Sequence, residues 1–197
     1  TELEMWSELL EVLTKQIDLV VRLEDKVNLY YRMAIVWEEE LTDSSMATDN
    51  LKKILELDRW NIPALKSLER LYRTAEDWPL LIETYERHLK AIDDLEAMAD
   101  LYFEIGSIYE NQLSDTNRAI TYYQRVLDSD PFYQRALSSL GKLYEVAGNW
   151  AKCIEMMERE ARVLNEPDHL VDVYFRIGKL YEERLVQIDR AKDSYRK

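Results

Sequence analysis

Side chains suited to catalysis or metal binding are scarce in this 197-residue chain. The chain has one Glu-x-x-His run, Glu166 to His169, where a di-iron bundle needs two, and it has no His-Glu-x-x-His motif, so we expect His88 to pack in a partly buried place and His169 to face solvent. Cys153 is the single cysteine, which excludes an intramolecular disulfide and a cysteine-based metal cage. Because Cys153 shares an apolar helix face with Trp150 and Met157, we expect an inert thiol. We therefore predict no enzymatic activity, no cofactor and no metal.

The composition excludes several other classes of protein. Hydrophobic residues make up 47% of the chain, too many for a disordered segment. The 4 glycines and 4 prolines are too few for the turns of a β-sandwich or barrel. No window approaches the roughly 18–20 unbroken apolar residues of a membrane span. These features predict a nearly all-helical protein, and the single cysteine without a recognisable signal peptide favours a cytoplasmic location.

Charge limits the class of partner. The chain has 26 Lys and Arg against 39 Asp and Glu, a net charge of −13, with a pI near 4.7. An acidic surface repels phosphate backbones and anionic lipids, so we predict no nucleic-acid partner and no membrane partner. Most of the acidic residues are expected on solvated helix faces, and the excess favours a partner of cationic character.

The sequence repeats itself at an interval of 72 residues. Trp6, Trp78 and Trp150 are spaced by this interval. The same interval aligns three longer segments, 29–41, 101–113 and 173–185. Such self-similarity is typical of arrays in which each unit buries its apolar face against the next. We treat 1–197 as one array with units 6–77, 78–149 and an incomplete 150–197.

Within each unit the apolar spacing is helical. In 101–113 the apolar residues recur at the i, i+4, i+7, i+8 positions of one helix face. Asp77, Asp115 and Asn149 are good N-cap candidates between such stripes. The pattern predicts eleven helices, at 3–20, 23–41, 46–57, 61–75, 77–92, 95–113, 116–129, 132–146, 149–163, 167–185 and 188–197.

Each unit divides into two helix pairs of about 36 residues, near the 34-residue tetratricopeptide period. In the fullest example the first helix has Tyr102, Ile105-Gly106 and Tyr109, and the second has Ala119, Tyr123, Val126 and Pro131. On these residues the chain resembles the tetratricopeptide repeat family over essentially its whole length. The resemblance implies an all-α fold, a right-handed α-solenoid of about five and a half antiparallel helix pairs. A related helical-hairpin array is the alternative fold.

The resemblance also implies which residues form the core. The glycine of the first helix is expected to let the partner helix's backbone approach, and aromatic residues are expected to fill the wedge between repeats. The expected core aromatics are Trp6, Trp78, Trp150, Tyr109, Tyr123, Tyr144 and Tyr181. In the first unit the glycine is replaced by Ala34 and Glu69, which loosens close packing without abolishing the pattern.

In this family the first helices line a concave groove, so first-helix residues off the packing stripe are the binding candidates. We predict partner contacts at Tyr31, Lys66, Arg70, Phe103, Lys142, Phe175 and Lys179. Near the far end of the groove the alignment places Glu38, Arg73, Glu110, Glu145 and Glu182. The alternative is that the three aromatic candidates complete packing within the repeats. The paired Lys and Asn with which some family members clamp a terminal carboxylate are missing.

These features predict a noncatalytic protein–protein interaction scaffold that binds a peptide or a partner helix in the groove. The alternative is a structural spacer or a self-association element whose groove binds nothing. The chain opens with a second-type helix whose Trp6, Leu9 and Leu13 form an apolar face. Because solenoids need polar caps, we expect either a longer array or self-association through the uncapped ends.

Overall fold

The computed structural model describes residues 2–164 and 166–197, so Thr1 and Asn165 of the expected array lie outside the described residues. The described residues form helices and turns, with no strand among them. Eleven α-helices span these ranges: α1 (Glu2–Leu19), α2 (Leu23–Ile35), α3 (Ser44–Leu57), α4 (Ile62–Thr74), α5 (Trp78–Ala91), α6 (Leu95–Asn111), α7 (Thr116–Ser129), α8 (Gln134–Val146), α9 (Trp150–Glu160), α10 (Pro167–Glu183) and α11 (Ile188–Tyr195).

The sequence therefore predicts every described helix with its approximate ends. The main difference lies at 23–41, where α2 ends at Ile35 and a π-helical turn, Val36–Glu40, follows it. In this turn the N–H of Leu41 donates to the carbonyl of Val36 at 3.1 Å, a wider ring than that of an α-helix.

The helices group into two compact units. The N-terminal unit ends at Asp93 and contains α1 to α5; the C-terminal unit begins at Asp94 and contains α6 to α11. In the N-terminal unit α2 packs on α3 and α4 on α5, with α3 against α4 and α1 against α2. In the C-terminal unit the hairpins are α6–α7, α8–α9 and α10–α11, joined by contacts of α7 with α8 and of α9 with α10. We call α2, α4, α6, α8 and α10 the first helices and the others the second helices.

Each hairpin reverses at a residue in the left-handed backbone region. These residues are Thr42, Glu76, Ser114, Gly148 and Val186, with φ between 52° and 68°. In four of the five hairpins the next residue caps the second helix. The side chains of Asp43, Asp77, Asp115 and Asn149 accept from the N–H of Met46, Leu80, Arg118 and Lys152. The predicted N-caps Asp77, Asp115 and Asn149 are confirmed.

The expected aromatic core is present in part, through its four tyrosines. Tyr109, Tyr123, Tyr144 and Tyr181 are buried, and Tyr123 is the largest side chain that is almost fully enclosed, with 1% of its surface exposed. Burial of such a side chain contributes about 2–3 kcal/mol to folding. The three tryptophans at the 72-residue interval are only half-buried.

The glycine of the first helix accommodates an aromatic ring. A Cβ at Gly106 would lie 2.7 Å from Cε1 and 2.8 Å from Cδ1 of Tyr123, and a Cβ at Gly178 would likewise meet the ring of Tyr195. At Gly141 the nearest atom would be the Cβ of Met156, 3.9 Å away. The sequence predicts an approaching backbone at these positions; at Gly106 and Gly178 the structure places a side-chain ring there instead.

The Gly106→Ala substitution is expected to lower the free energy of unfolding by about 1–3 kcal/mol, because the enclosed Tyr123 ring cannot move aside. Gly141→Ala, where there is room for a methyl group, is the matched control and should raise stability by up to about 1 kcal/mol through helix propensity. Urea denaturation followed by circular dichroism measures both.

The N-terminal unit has Ala34 and Leu51 at the positions equivalent to Gly106 and Tyr123. In a Tyr123→Leu background, Gly106→Ala should therefore become neutral or stabilising. If the changes in the free energy of unfolding caused by the two substitutions are additive in this double-mutant cycle, the Tyr123 ring is not the cause of the destabilisation by Gly106→Ala.

Val186→Gly is expected to raise the free energy of unfolding by about 1 kcal/mol and the melting temperature by about 2–4 °C. Val186 adopts φ 53° and is 76% exposed, so glycine relieves backbone strain and loses little packing. Val171 is 61% exposed within α10, and Val171→Gly should lower the free energy of unfolding and the melting temperature. A melting temperature lowered by Val186→Gly would show that this turn carries no relievable strain.

Candidate functional site

The predicted groove residues of the N-terminal unit are partly engaged with one another. The hydroxyl of Tyr31 is 2.9 Å from the Oγ of Ser67, on the next first helix. Lys66 is exposed. The guanidinium of Arg70 forms a bidentate pair with Glu38, with Nη2 donating to Oε2 at 2.7 Å. Hydrogen bonding by Glu38 raises the pKa of Arg70. A ligand anion at Arg70 would compete with this carboxylate.

Phe103 in the C-terminal unit is packed rather than exposed. It is 6% exposed, and its ring centroid lies 5.2 Å from that of Tyr123 and 5.5 Å from that of Tyr133. The guanidinium carbon of Arg135 is 4.1 Å from the Phe103 centroid. The Phe103 ring therefore has the environment expected if the aromatic candidates complete packing within the repeats. The side chain exposed to solvent beside it is that of Arg135.

An open cleft of about 460 Å³ lies on the first-helix side of the C-terminal unit. Its lining is Phe103, Gln134, Arg135, Ser138, Ser139, Lys142 and Glu160. We call it the first-helix cleft. It contains the predicted residue Lys142, while Arg135 and Glu160 were missed by the sequence analysis. Neither gives a repeat signal, because the equivalent positions in the N-terminal unit are Pro63 and His88.

The charges of the first-helix cleft are mixed, with two cations and one carboxylate. Burial raises the pKa of Glu160, and the nearby cations Arg176 and Lys142 oppose that rise. Serine hydroxyls complete the lining. Such a surface can bind polar groups and an acidic side chain through hydrogen bonds and charge pairing.

The last two predicted groove residues lie together on α10. Phe175 is 52% exposed, with the Nζ of Lys179 5.3 Å from its centroid and the Tyr195 ring 5.7 Å away. The structure thus brings Phe175 and Lys179 together as an exposed aromatic–cation pair. An arrangement of this kind can stack on a partner side chain.

The residues aligned near the far end of the groove bind within the protein. Glu110 accepts from the hydroxyl of Tyr123 at 2.5 Å, and Glu182 accepts from that of Tyr195 at 2.8 Å. Burial and then the Glu110 hydrogen bond raise the pKa of Tyr123. Arg73 donates to the hydroxyl of Tyr85. The equivalent carboxylates Glu38 and Glu145 pair with arginines of the next first helix, Arg70 and Arg176.

The histidines are placed much as expected. The Nδ1 of His88 is 2.7 Å from the Oε1 of Glu69, and His88 is 6% exposed, so it is buried and hydrogen-bonded. Burial raises the pKa of Glu69, and the neighbouring His88 opposes that rise. His169 is exposed beside Glu166, 3.2 Å away.

Cys153 is fully buried, and burial raises the pKa of its thiol to about 11. No group of three or more His, Cys, Asp or Glu side chains in 2–164 and 166–197 is arranged to hold a metal ion. Within the same ranges, every helix is too short or too polar to span a bilayer.

Two clefts between second helices recur at the 72-residue interval, one in each unit. The first, of about 310 Å³, lies among α3, α4 and α5, and the second, of about 370 Å³, lies among α7, α8 and α9. Every residue that lines the second stands 72 positions after one that lines the first. Arg87 and Arg159 each donate to a backbone carbonyl, of Arg59 at 3.5 Å and of Pro131 at 2.7 Å. The repeat is therefore preserved on this face as well as in the core.

Comparison with known proteins identifies the repeat. Two family models, both described as tetratricopeptide repeat, match residues 64–99 and 99–133. The first match begins in α4 and contains α5, and the second contains most of α6 and all of α7. The chain contains tetratricopeptide repeats, matched over residues 64–133.

Solved tetratricopeptide structures share the fold. YrrB, described as a TPR protein with an unusual peptide-binding site, is 21% identical with a TM-score of 0.54, and the match covers 94% of this chain and 93% of that one. MamA is 23% identical with a TM-score of 0.53, and the match covers 81% and 88%. The predicted all-α solenoid of helix pairs is confirmed as the fold class.

Curated relatives are longer proteins. Superkiller protein 3 of Schizosaccharomyces pombe is 27% identical over 152 residues, which are 76% of this chain and 10% of that protein. Lipopolysaccharide assembly protein B of Escherichia coli is 23% identical over 142 residues, which are 69% of this chain and 36% of that protein. The tetratricopeptide chain thus spans about a tenth and about a third of these relatives. Its family supports a protein-interaction scaffold whose partners are proteins or peptides.

We predict that iodoacetamide alkylates Cys153 of the native tetratricopeptide chain at least about 100-fold more slowly than an exposed thiol at pH 8, since a rise of about two pKa units reduces the thiolate about 100-fold. The control is Thr74→Cys, an exposed position, in a Cys153→Ala background. Mass spectrometry of timed samples gives both rates, and urea should restore reactivity. Equal native rates would contradict the inert thiol.

Proposed function

We propose that this protein is an interaction scaffold whose C-terminal unit binds an extended peptide segment of a partner in the first-helix cleft. The observation that carries the proposal is the cleft itself, which brings Arg135, Lys142 and two serines of α8 beside Glu160. Surfaces that combine cations with hydroxyl groups bind polar peptide groups directionally. The tetratricopeptide family supports a protein or peptide as the ligand class.

The charge of the cleft favours an acidic side chain on the segment. Lys142 is exposed on α8, and Arg135 is exposed above the Phe103 ring. Glu160 contributes one carboxyl beside these two cations, so the balance of charge in the cleft favours an anion. The net charge of the chain favours a cationic partner, and we place those cationic residues outside the cleft.

The exposed pair of Phe175 and Lys179 extends the proposed site within the same unit. Phe175 offers an aromatic face, and exposed aromatic residues beside cations are common anchors at peptide interfaces. The first-helix surface of the N-terminal unit is a weaker candidate for this peptide site, because Arg70 there already pairs with Glu38. YrrB, described as having a peptide-binding site, supports peptide binding as a use of this fold.

Reversing the charge of the cleft should weaken peptide binding. Peptides selected from a random displayed library on the wild-type chain are labelled, and their affinity is measured by fluorescence anisotropy. Arg135→Glu with Lys142→Glu should lower the affinity at least about tenfold, and added salt should lower the wild-type affinity. Both substitutions are at exposed positions, so helicity should be retained.

The matched control is Arg125→Glu with Lys152→Glu, on second helices of the same unit. Arg125 and Lys152 are also exposed cations, lying over the rings of Tyr122 and Tyr144. The control should keep the affinity within about twofold. If selected peptides bind both double variants equally well, or if selection yields no binder, the peptide site is wrong and the spacer alternative is favoured.

A further inference from the structure

A third kind of cleft opens in the N-terminal unit, among α1, α2 with its π-helical turn, and α3. Its volume is about 560 Å³. Apolar walls come from Leu10, Met33 and Met46. It shares no residue with the first-helix cleft, so a function here and the function proposed above can fail separately.

Two residues that line this third cleft each carry a buried polar atom with no hydrogen-bond partner among the described residues, the indole Nε1 of Trp37 and the Oδ1 of Asn50. Asn50 is 2% exposed. Its Nδ2 donates to the carbonyl of Met46 at 2.7 Å, which fixes the orientation of the amide and leaves Oδ1 as the free acceptor. Buried polar groups in folded proteins almost always have partners, so this donor and this acceptor favour a ligand that supplies one acceptor and one donor.

In the second copy of the repeat, the side chains at the equivalent positions contact one another. Trp37, Asn50 and Met46 correspond, 72 residues on, to Tyr109, Tyr122 and Arg118. There the two tyrosine rings stack with centroids 5.5 Å apart, and Arg118 donates to the Tyr109 hydroxyl at 3.4 Å. The unpaired atoms therefore arise from side chains particular to the first copy.

The backbone hydrogen bond that follows the end of the first helix is common to both copies, whereas the π-helical turn, Val36–Glu40, belongs to the first copy. The N–H of Asp43 donates to the carbonyl of Trp37 at 2.7 Å, and the N–H of Asp115 donates to that of Tyr109 at 2.8 Å. The carbonyls of residue 37 and residue 109 thus accept equivalent hydrogen bonds. What changes is the donor and acceptor that the side chains offer.

We propose that this cleft, the amide cleft, binds the main chain of an extended partner segment at an aliphatic residue. A carbonyl of the segment accepts from Trp37 Nε1, a main-chain N–H donates to Asn50 Oδ1, and the aliphatic side chain lies against Met33 and Leu10. Two exposed cations, Lys15 and Lys53, line the cleft against one exposed carboxylate, Glu11. This balance favours an acidic residue next to the aliphatic one.

The test uses the full chain labelled with ¹⁵N and the capped dipeptide acetyl-Asp-Leu-N-methylamide. The indole N–H resonance of Trp37, assigned by its loss in Trp37→Phe, should shift downfield in a saturable way as it gains an acceptor. Asn50→Leu should weaken the binding at least about tenfold, because it removes the acceptor at similar volume. Its urea midpoint should be unchanged or higher, since an unpaired buried oxygen is removed.

The matched control is Thr84→Val, which removes a buried hydroxyl from the cleft among α3, α4 and α5 of the same unit. It should leave the dipeptide affinity within about twofold. If Asn50→Leu lowers the urea midpoint, Trp37→Phe gives the same test, read from the methyl resonances of Met33 and Met46.

Three results would overturn the proposal. In the first, the Trp37 indole resonance does not respond to the dipeptide, which would show that only water hydrogen-bonds to Trp37 Nε1 and Asn50 Oδ1. Asn50→Leu and Trp37→Phe bind as tightly as the wild type. Isopentyl acetate, an ester of similar shape without an N–H, binds as well as the dipeptide, which would show apolar occupancy only.

Discussion

The α6–α7 and α10–α11 hairpins depend on one contact, the packing of a second-helix aromatic ring over the glycine of the first helix. In the α6–α7 hairpin the Tyr123 ring occupies the space that a Cβ at Gly106 would need. Its hydroxyl then donates at 2.5 Å to Glu110, which lies four residues, about one helical turn, after that glycine. One side chain thereby combines apolar burial with a hydrogen bond, and it fixes both the separation and the rotation of the two helices.

This contact also decides which residues remain for binding. Glu110 and Glu182 are committed to hydroxyls of the second helices, so the end of each of these first helices is structural. The exposed polar groups that remain lie nearer the middle of the first helices, where α8 contributes Lys142 and Ser138 to the first-helix cleft. The position of the proposed peptide site thus follows from the packing of the hairpins.

The sequence predicted what local periodicity determines: the helices, the caps at Asp77 and Asp115, and the buried tyrosines. It did not predict the residues that meet only across helices. Arg135 covers Phe103, and Asn50 lines the amide cleft, because of distances that the folded chain alone creates. These side chains escape sequence reasoning because the repeat preserves packing positions, while Arg135 and Asn50 are replaced by Pro63 and Tyr122 in the other copy.

The turn residues in the left-handed backbone region are positions at which substitution can raise the thermal stability of the protein. Four of the five, Thr42, Glu76, Ser114 and Val186, are residue types for which a positive φ costs more conformational energy than it does for glycine or asparagine. They belong to separate turns, so improvements there should accumulate almost independently. Laboratory evolution for heat resistance can therefore begin at these connections and leave both candidate binding clefts untouched.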